Sequence, residues 1–207
     1  MLSVNGFNVN VTIFPDKSSQ VWKLPNELIT QITGNTDATP IANIKWIFEG
    51  DHEVFQVMQL VTLLHEIAPD DITLNLDVPY MPYGRQDKRI TNQSCFALQV
   101  FSMVLMMFDE VTTFDLHNPS SLSEFEFIKN VMPTEKIKAI IEEHNVDSLV
   151  FPDKGALARY GSLVSNIETF SADKVRDQLT GDITGLKMDT SPKEGAIILV
   201  QDDICDG

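Results

Sequence analysis

The chain has 207 residues, enough to bury the apolar core of one large domain or two small ones. Hydrophobic residues make up 43% of it and charged residues 22%, and the formal net charge is −15. This acidity argues against nucleic-acid or anionic-membrane binding, because phosphate binding needs clustered Lys and Arg. Seven of the fifteen Lys and Arg do cluster, which predicts a local basic pocket for a small anionic ligand. They are Arg85, Lys88 and Arg89; Lys154 and Arg159; Lys174 and Arg176.

No secretory or membrane-spanning segment is predicted. The first ten residues lack a basic start followed by an apolar stretch. The most apolar segment, residues 95–108, is interrupted by Gln99 and Ser102 and is shorter than the roughly 18 residues that span a bilayer, so it predicts a buried helix. Two cysteines, Cys95 and Cys205, are too few for a disulfide framework or a cysteine-based zinc site. The expected compartment is the reducing cytoplasm, that of the host cell if the chain is virus-encoded.

Strand-like and helical periodicities alternate along the chain. Apolar residues at helical spacing predict a helix over 52–67, and Pro133 favours a helix start for 133–144. Strands that alternate with helices predict an α/β fold in which parallel sheets are flanked by helices. The pattern restarts near 123–133, which indicates two similar lobes. The predicted strands cover residues 9–14, 20–24, 43–48, 72–78, 111–115, 148–151, 167–170 and 196–200.

Charged and turn-forming residues follow five of the predicted strands. The carboxyl ends of parallel strands meet at one edge of a sheet, where ligands usually bind. We therefore expect these five segments to mark the functional site. They are PYMPYGRQDKR (79–89), LHNP (116–119), PDKG (152–155), SADKVR (171–176) and QDDICDG (201–207).

The first two of these segments carry groups that can bind an anion or a metal. Arg85 offers a planar fork for phosphate or for stacking on a base, and Gln86 can read a base edge. The alternative is a solvated turn with surface ion pairs. His117 could ligate a metal or carry a proton, although a single histidine is more often only hydrogen-bonded.

The last three segments combine carboxylates with cations. Asp153 could hold Mg²⁺ with waters and substrate phosphates; the ordinary alternative is a helix cap. Lys174 and Arg176 could stabilise charge on a transferring phosphoryl group, or could belong to a solvated charge run on a surface loop. Three acids follow the apolar last strand, and placing acids there is costly unless they bind something such as ribose hydroxyls or a divalent metal. They are Asp202, Asp203 and Asp206.

In this order, the five segments resemble the motifs of ribose-phosphate pyrophosphokinases. PYMPYGRQDKR is similar to the family's ATP-binding loop, with Gly84 in the place of an Ala, and Asp-Leu-His is similar to its magnesium-linked histidine motif. FPDKG resembles its Ser-Pro-Asp turn, and DKVR resembles its catalytic Asp-Lys-Arg-Arg segment. DDICDG resembles the ribose-phosphate loop that the family shares with type I phosphoribosyltransferases. The resemblance covers residues 70–207.

The resemblance implies a fold and a reaction. The fold is a pair of type I phosphoribosyltransferase-like lobes: an ATP-loop-bearing lobe over 1–128 and a ribose-phosphate-binding lobe over 129–207, the second of them incomplete. The reaction is Mg²⁺-dependent transfer of pyrophosphate from ATP to ribose 5-phosphate, giving 5-phosphoribosyl 1-diphosphate and AMP for nucleotide or NAD biosynthesis. A homo-oligomer, a hexamer or a dimer, is implied as well, with no nucleic-acid or membrane partner.

The resemblance also implies roles for individual residues. Lys174 and Arg176 correspond to catalytic residues that stabilise charge in the transition state, and His117 and Asp153 correspond to metal-linked residues. The remaining implied contacts are ATP binding by Arg85, Gln86, Asp87, Phe14 and Asp16, and ribose 5-phosphate binding by Asp202, Asp203, Asp206 and Gly207.

Two departures from the family pattern leave alternatives open. Gly207 stands where the family usually has Thr, and the family's flag-loop motif Phe-Ser-Asp-Gly-Glu is only echoed by FPDKSSQ (14–20), which has no counterpart of the Glu. These departures resemble the divergent bacteriophage-type members. The alternatives are a phosphoribosyltransferase, which normally lacks the Arg-Gln-Asp loop, a catalytically silent regulatory homologue, and an incomplete polypeptide whose activity needs a further segment.

Overall fold

The computed structural model describes residues 1–34, 38–68, 71–176, 183–188 and 190–203, without the side chains of 174–176, 183, 184 and 186. The chain divides into two compact units, each described by itself: unit 1 is Met1–Met132, and unit 2 begins at Pro133. The predicted boundary follows residue 128. Residues 128–131 form a strand of the unit 1 sheet, so unit 1 extends slightly beyond that boundary.

Unit 1 contains a six-stranded sheet and a separate hairpin. The strands are β1 (Leu2–Val4), β2 (Phe7–Asn8), β3 (Asn10–Ile13), β4 (Ser19–Lys23), β5 (Ile41–Trp46), β6 (Thr73–Val78), β7 (Glu110–Phe114) and β8 (Ile128–Val131). The sheet order is β2-β1-β5-β6-β7-β8. Strands β5 to β8 are parallel, whereas β1 pairs antiparallel with β2 and with β5. Strands β3 and β4 form the hairpin.

Helices of unit 1 bury one apolar face each. They are α1 (Asn26–Thr33), α2 (His52–Ile67) and α3 (Ala97–Leu105). Helix α2 has the predicted bounds, and its residues Val57 and Leu64 are fully buried. Such burial along one stripe is what apolar residues at helical spacing produce. None of the helices in the described part of the chain has the length and hydropathy of a membrane span.

The prediction that 95–108 is a buried helix is wrong in extent and in burial. Helix α3 is shorter, and only one side of it, which includes Leu98 and Phe101, faces the core. On its other side Val100 and Met103 are 51% and 62% exposed. The sequence concealed this asymmetry, because a segment in which apolar residues lie on both sides of the helix shows little helical periodicity.

Unit 2 contains a four-stranded sheet with two helices. Its elements are α4 (Thr134–His144), β9 (Ser148–Phe151), α5 (Lys154–Tyr160), β10 (Glu168–Arg176), β11 (Ile183–Met188) and β12 (Ile198–Val200). The sheet order is β11-β10-β9-β12, and the buried strand β9 is parallel to both of its neighbours. The predicted α/β fold with mainly parallel sheets is therefore confirmed.

Strand β10 is longer than the sequence pattern indicated. The segment SADKVR was expected to be a loop after a strand ending at residue 170, and this expectation is wrong. Strand β10 pairs in parallel with β9 as far as Ser171 and then pairs antiparallel with β11 from Ala172 onward. The charged residues that follow Ala172 are thus held in a two-stranded ribbon, whose backbone hydrogen bonds override their low strand propensity.

A buried carboxylate ties the start of α2 to the end of β5. Glu53 is 7% exposed and accepts hydrogen bonds from Trp46 Nε1 at 2.9 Å and from the backbone nitrogen of Glu49 at 2.8 Å. The Met1 ammonium group lies 3.0 Å from its Oε1 atom. Burial raises the pKa of this carboxyl, but the donors of Trp46, Glu49 and Met1 outweigh burial and hold the pKa below its usual 4.5.

We expect Glu53→Gln to lower the free energy of unfolding of unit 1 by about 2 kcal/mol, because the amide places an NH₂ group against donors that a carboxylate satisfies. Urea denaturation at neutral pH measures the change. Glu66→Gln, at an exposed position on the same helix, is the matched control and should change stability by less than about 0.5 kcal/mol.

The pH dependence of this difference provides an independent check. Because folding lowers the pKa of Glu53, the stabilisation is present above 4.5 and is lost as the pH falls through the lower value of the folded state. The stability gap between the wild type and Glu53→Gln should therefore shrink on acidification. A gap that stays constant into acidic solution would contradict the assignment.

Candidate functional site

In unit 1, two of the predicted site segments meet at the carboxyl edge of the parallel sheet. The loop over 79–94 follows β6, and residues 115–118 follow β7, its parallel neighbour. The Asn118 side-chain amide donates to Asp87 Oδ2 at 2.7 Å, which joins the two segments directly. The Arg-Gln-Asp motif and the histidine motif are thus brought together by strand pairing and by one side-chain bond.

The backbone of the 79–94 loop folds into tight turns. The Gly84 nitrogen donates to the Met81 carbonyl at 3.1 Å, and the Gln86 nitrogen donates to the Tyr83 carbonyl at 2.9 Å. A Cβ atom on Gly84 would lie 3.0 Å from the Met81 carbonyl oxygen and 3.6 Å from Leu116 Cδ1. The glycine therefore allows the loop to approach the Met81 carbonyl more closely than alanine would without a shift, whereas the distance to Leu116 is an ordinary van der Waals contact.

Tyr83 anchors this loop to the body of unit 1. Its hydroxyl donates to Asp51 Oδ1 at 2.7 Å, and its ring centroid lies 6.2 Å from that of Phe48 and 5.3 Å from that of Phe101. Its backbone has a positive φ of 61°, a conformation that a bulky residue adopts only when its surroundings hold it there. The bond to Asp51, together with burial and the Asp51 charge, raises the pKa of Tyr83 to about 12.

Three of the five side chains that the resemblance implies for ATP binding lie at this edge, and they differ in exposure. Arg85 and Gln86 are exposed, as is His117, whereas Asp87 is half-buried and held by Asn118. An exposed guanidinium and amide can contact an approaching anionic ligand. Asp87, by contrast, is placed to hold the loop in shape.

Phe14 and Asp16 lie at the tip of the β3–β4 hairpin. The Phe14 nitrogen donates to the Ser18 carbonyl at 2.8 Å, and Asp16 Oδ1 accepts from the Ser18 hydroxyl at 2.7 Å and from its backbone nitrogen at 3.0 Å. The Ser18 hydroxyl and backbone bonds lower the pKa of Asp16. The hairpin docks on α2 through Gln59, whose side chain bonds the backbone of Val21 and of Ser19, each at 2.9 Å.

In unit 2, the predicted acids gather at the carboxyl edge of β9 and β12. Asp153 follows β9, and Asp202 and Asp203 follow β12, its parallel neighbour. The Asp203 nitrogen donates to Asp202 Oδ1 at 2.9 Å. Burial raises the pKa of Asp202, and the negative charges of Asp203 and Asp153 raise it further. The edge is therefore a site of crowded negative charge, which suits hydroxyl donors or cations.

Asp153 also caps a helix, which the sequence offered as the alternative to Mg²⁺ binding. Its Oδ1 atom accepts from the Ala156 nitrogen at 2.8 Å at the start of α5. A Cβ atom on Gly155 would lie 3.1 Å from that oxygen, so the glycine gives the cap room to close. The bond to the first turn of α5 thus fixes the direction of the Asp153 carboxylate.

Two of the clustered basic residues, Lys154 and Arg159, pair with acids in unit 2. Lys154 Nζ lies 3.1 Å from Asp173 Oδ1, with both side chains at least half exposed. Arg159 Nη1 lies 3.2 Å from Asp203 Oδ2, with side chains that are only 12% and 4% exposed. The sequence indicated Arg159 as one of the clustered basic residues but not as a site residue, because its partner follows a different strand.

Several predicted site residues are only partly described or are not described. Lys174 and Arg176 have their backbone in β10, and their side chains lie outside the described part of the chain. Asp206 and Gly207 lie outside the described residues altogether. Among the described residues, no three His, Cys, Asp or Glu side chains converge as a metal site. His117 belongs to unit 1 and Asp153 to unit 2.

Curated proteins resemble this chain in sequence. The ribose-phosphate pyrophosphokinase of Pyrococcus abyssi is 29% identical over 135 residues, which are 63% of this chain and 47% of the relative. That of Methanopyrus kandleri is 32% identical over 136 residues, 62% of this chain and 46% of the relative. That of Thermococcus kodakarensis is 28% identical over 204 residues, 96% of this chain and 68% of the relative. The chain thus spans about half the length of the first two relatives.

A solved structure resembles the fold. The crystal structure of phosphoribosylpyrophosphate synthetase from Mycobacterium smegmatis matches with a TM-score of 0.69 and 15% identity, over 94% of this chain and 62% of that chain. At this identity the match supports the fold alone. No family model matches the chain. The resemblance predicted from the motifs is confirmed: the chain is a sequence relative of ribose-phosphate pyrophosphokinases with the fold of a phosphoribosylpyrophosphate synthetase.

We expect Tyr83→Phe to loosen the 79–94 loop while unit 1 stays folded, because the ring packing remains and only the bond to Asp51 is lost. The cost should be about 1 kcal/mol. Hydrogen exchange followed by mass spectrometry should show faster exchange of amides in the peptide over 79–90. Tyr80→Phe, at a tyrosine that is 48% exposed in the same loop, is the matched control. Equal exchange in both variants would contradict the anchoring role.

Proposed function

We propose that this chain takes part in Mg²⁺-dependent transfer of pyrophosphate from ATP to ribose 5-phosphate, which yields 5-phosphoribosyl 1-diphosphate and AMP. The observation that carries the proposal is the placement of the motifs. In unit 1 the segments after β6 and β7, and in unit 2 the segments after β9 and β12, lie at the carboxyl edge of a parallel strand pair, and the curated relatives of the chain are named for this activity. The product would serve nucleotide or NAD biosynthesis in the cytoplasm.

The edge of unit 1 would hold ATP. Arg85 and Gln86 are exposed on a loop that Tyr83 anchors, so they can contact phosphate or base without distortion of the fold. Asp87 would keep the loop in shape through Asn118. Exposed Lys88 and Arg89 add positive charge to the same segment, which would offset the net charge of −15 for an anionic nucleotide.

The hairpin tip with Phe14 and Asp16 would contact the adenine bound by a second copy of the chain, as the resemblance implies. The hairpin and the adjacent α2 carry exposed apolar side chains, with Ile13 66%, Trp22 64% and Phe55 62% exposed. Apolar side chains of this size and exposure are typical of surfaces that a partner covers. A homo-oligomer, a dimer or a hexamer, would therefore bury this face and complete the nucleotide site.

The edge of unit 2 would hold ribose 5-phosphate. Carboxylates accept hydrogen bonds from sugar hydroxyls, and Asp202 and Asp203 are held side by side by a backbone bond at the end of β12. Asp206 and Gly207, which lie outside the described residues, would bind the same substrate as the resemblance implies. These acids would repel the phosphate group of the substrate, so they suit contact with the sugar hydroxyls.

Mg²⁺ suits the donor set of unit 2. It prefers oxygen ligands and usually binds one or two carboxylates together with waters and substrate phosphates. Burial raises the pKa of Asp202, and the charges of Asp203 and Asp153 raise it further; a divalent cation would relieve that repulsion. Asp153 would hold the ion more readily than the imidazole nitrogen of His117. When bound, the ion would neutralise part of the negative charge of the substrate phosphates.

The chemistry would rest on positioning and on charge stabilisation. The 1-hydroxyl oxygen of ribose 5-phosphate forms a bond to the β-phosphorus of ATP and loses its proton, while the bond from that phosphorus to the oxygen of AMP breaks. Negative charge accumulates on the departing oxygen. Lys174 and Arg176, carried by the β10–β11 ribbon, would stabilise that charge.

An assay of AMP release with ATP, ribose 5-phosphate and Mg²⁺ tests the proposal on the chain. AMP formation should require both substrates, and ribose without its phosphate should not replace ribose 5-phosphate. Release of pyrophosphate from 5-phosphoribosyl 1-diphosphate in the presence of a nucleobase would instead favour a phosphoribosyltransferase. Binding of both substrates by calorimetry without turnover would favour a silent regulatory homologue. A chain that binds neither substrate would contradict the proposal.

We expect Lys174→Ala to lower kcat on the order of 100-fold and to leave the Kd for ATP nearly unchanged, because a group that acts in the transition state affects rate more than ground-state affinity. Steady-state kinetics and calorimetry measure the two quantities. Lys187→Ala, which removes an exposed lysine from the neighbouring strand β11, is the control. A loss of ATP affinity equal to the loss of rate would refute the role of Lys174.

We expect Arg85→Ala to weaken ATP binding about tenfold, because a guanidinium in contact with phosphate contributes roughly 1.5 kcal/mol through charge-assisted hydrogen bonds. Isothermal titration calorimetry with ATP measures the change. Lys45→Ala, an exposed cation on β5 of the same unit, removes the same charge away from the loop and should leave the affinity within about twofold. If Arg85→Ala binds ATP as the wild type does, Arg85 has no role in the nucleotide site.

A further inference from the structure

The acid-bearing edge of unit 2 has a cation built into it. Arg159 Nη1 lies 3.2 Å from Asp203 Oδ2, and only 12% and 4% of the two side chains is exposed. Solvent and salt screen such a pair far less than a surface pair. Arg159 stands near the end of α5, whose first turn is capped by Asp153. One short helix thus presents a carboxylate at its start and the partner of a second carboxylate near its end.

Aromatic neighbours hold the guanidinium in place. Arg159 Nη1 also donates to the Tyr160 hydroxyl at 3.1 Å, and the guanidinium carbon lies 5.4 Å from the centroid of the Tyr160 ring. Tyr160 is 1% exposed, and its ring stacks on Phe151, the last residue of β9, at 6.5 Å between centroids. The position of the cation is therefore fixed by the core of unit 2 and not by solvent.

The positive charge of Arg159 affects the carboxylates that lie near Asp203. Asp153, Asp202 and Asp203 all follow the carboxyl ends of the paired parallel strands β9 and β12. Without the guanidinium, the buried Asp203 carboxylate would lose this opposite charge. Such a group is strongly destabilised until it moves toward solvent or takes up a proton. Either response would change the direction of the acids at the end of β12.

We propose that Arg159 is a positioning residue that fixes the Asp203 carboxylate and, through the backbone bond from Asp203 to Asp202, sets the pair of acids for the ribose hydroxyls. The substrate in this inference rests on the proposed function, whereas the positioning of the acids does not. Arg159 is 12% exposed and pairs with Asp203, so in this role it acts through Asp203 and not by contact with the sugar.

The test compares three variants of the full chain. Arg159→Met removes the charge and keeps an apolar stem, Arg159→Lys restores a charge without the planar fork, and Tyr160→Phe removes only the hydroxyl that helps to hold the guanidinium. Lys138→Met, which removes an exposed ion pair with Glu135 on α4, is the matched control. Circular dichroism and thermal melting establish that each variant is folded before it is compared.

The first readout needs no substrate. Hydrogen exchange over the peptide that covers 196–203 should be faster in Arg159→Met, because the Asp203 and Gln201 amides depend on the geometry of the β12 end. Exchange should be nearly normal in Lys138→Met and intermediate in Arg159→Lys. Unchanged exchange in a folded Arg159→Met chain would overturn the positioning role, whatever the substrate is.

The second readout is calorimetry with ribose 5-phosphate and with ATP. Arg159→Met should weaken ribose 5-phosphate binding at least tenfold and ATP binding less than twofold. Arg159→Lys should recover part of the lost affinity for ribose 5-phosphate. Tyr160→Phe should lower that affinity a few-fold. Equal losses for both ligands would indicate a general structural role and would overturn the inference. If the wild-type chain does not bind ribose 5-phosphate but exchange is faster in Arg159→Met, the proposed function is contradicted and the positioning role of Arg159 stands. If Arg159→Met does not fold, the milder variants Arg159→Lys and Tyr160→Phe decide by the same two readouts.

Discussion

Parallel strand pairing decides where the site segments that follow β6, β7, β9 and β12 lie. In unit 1 the pairing of β6 with β7 places the 79–94 loop beside the segment that carries His117. In unit 2 the pairing of β9 with β12 places Asp153 beside the acids that follow Val200. Antiparallel pairing would send successive strand ends to opposite edges, and the same residues would be separated. Helices α2 and α5 help to hold the loops after parallel strands. Helix α2 follows β5 and holds the loop through Glu53, and helix α5 follows β9 and is capped by Asp153.

The two units stabilise their edges by different interactions. The 79–94 loop of unit 1 is held by a hydroxyl–carboxylate bond from Tyr83 to Asp51 and by packing of its ring on aromatic neighbours, which leaves the cationic side chain of Arg85 exposed. The edge of unit 2 is held by a buried ion pair between Arg159 and Asp203. The difference follows from the charges that each edge presents. A loop that exposes cations needs no counter-charge from the core, whereas crowded carboxylates do.

Local signals were readable from the sequence, and contacts between distant residues were not. The helix over 52–67 and the strand over 148–151 were predicted with their observed bounds, because each is long enough or apolar enough to show its period. Strands such as β2 and β8 were missed, since two to four residues at a sheet edge show no alternation. The site segments were found because turn residues and charges follow strands directly. The partners Asp51 and Asn118 were missed, because only the folded sheet brings them to Tyr83 and Asp87.

The distribution of charge between the edges accounts for how so acidic a chain could handle anionic substrates. Exposed Arg85, Lys88 and Arg89 place three cations on the loop after β6 of a chain with a net charge of −15, so under the proposed function a polyphosphate would be attracted there and repelled elsewhere. At the edge of unit 2, Asp202 and Asp203 would meet sugar hydroxyls, which donate hydrogen bonds and carry no charge. Under the proposed function, each edge thus suits a different part of the reacting pair. The acidity of the remaining surface would then disfavour binding of the same phosphates in unproductive places.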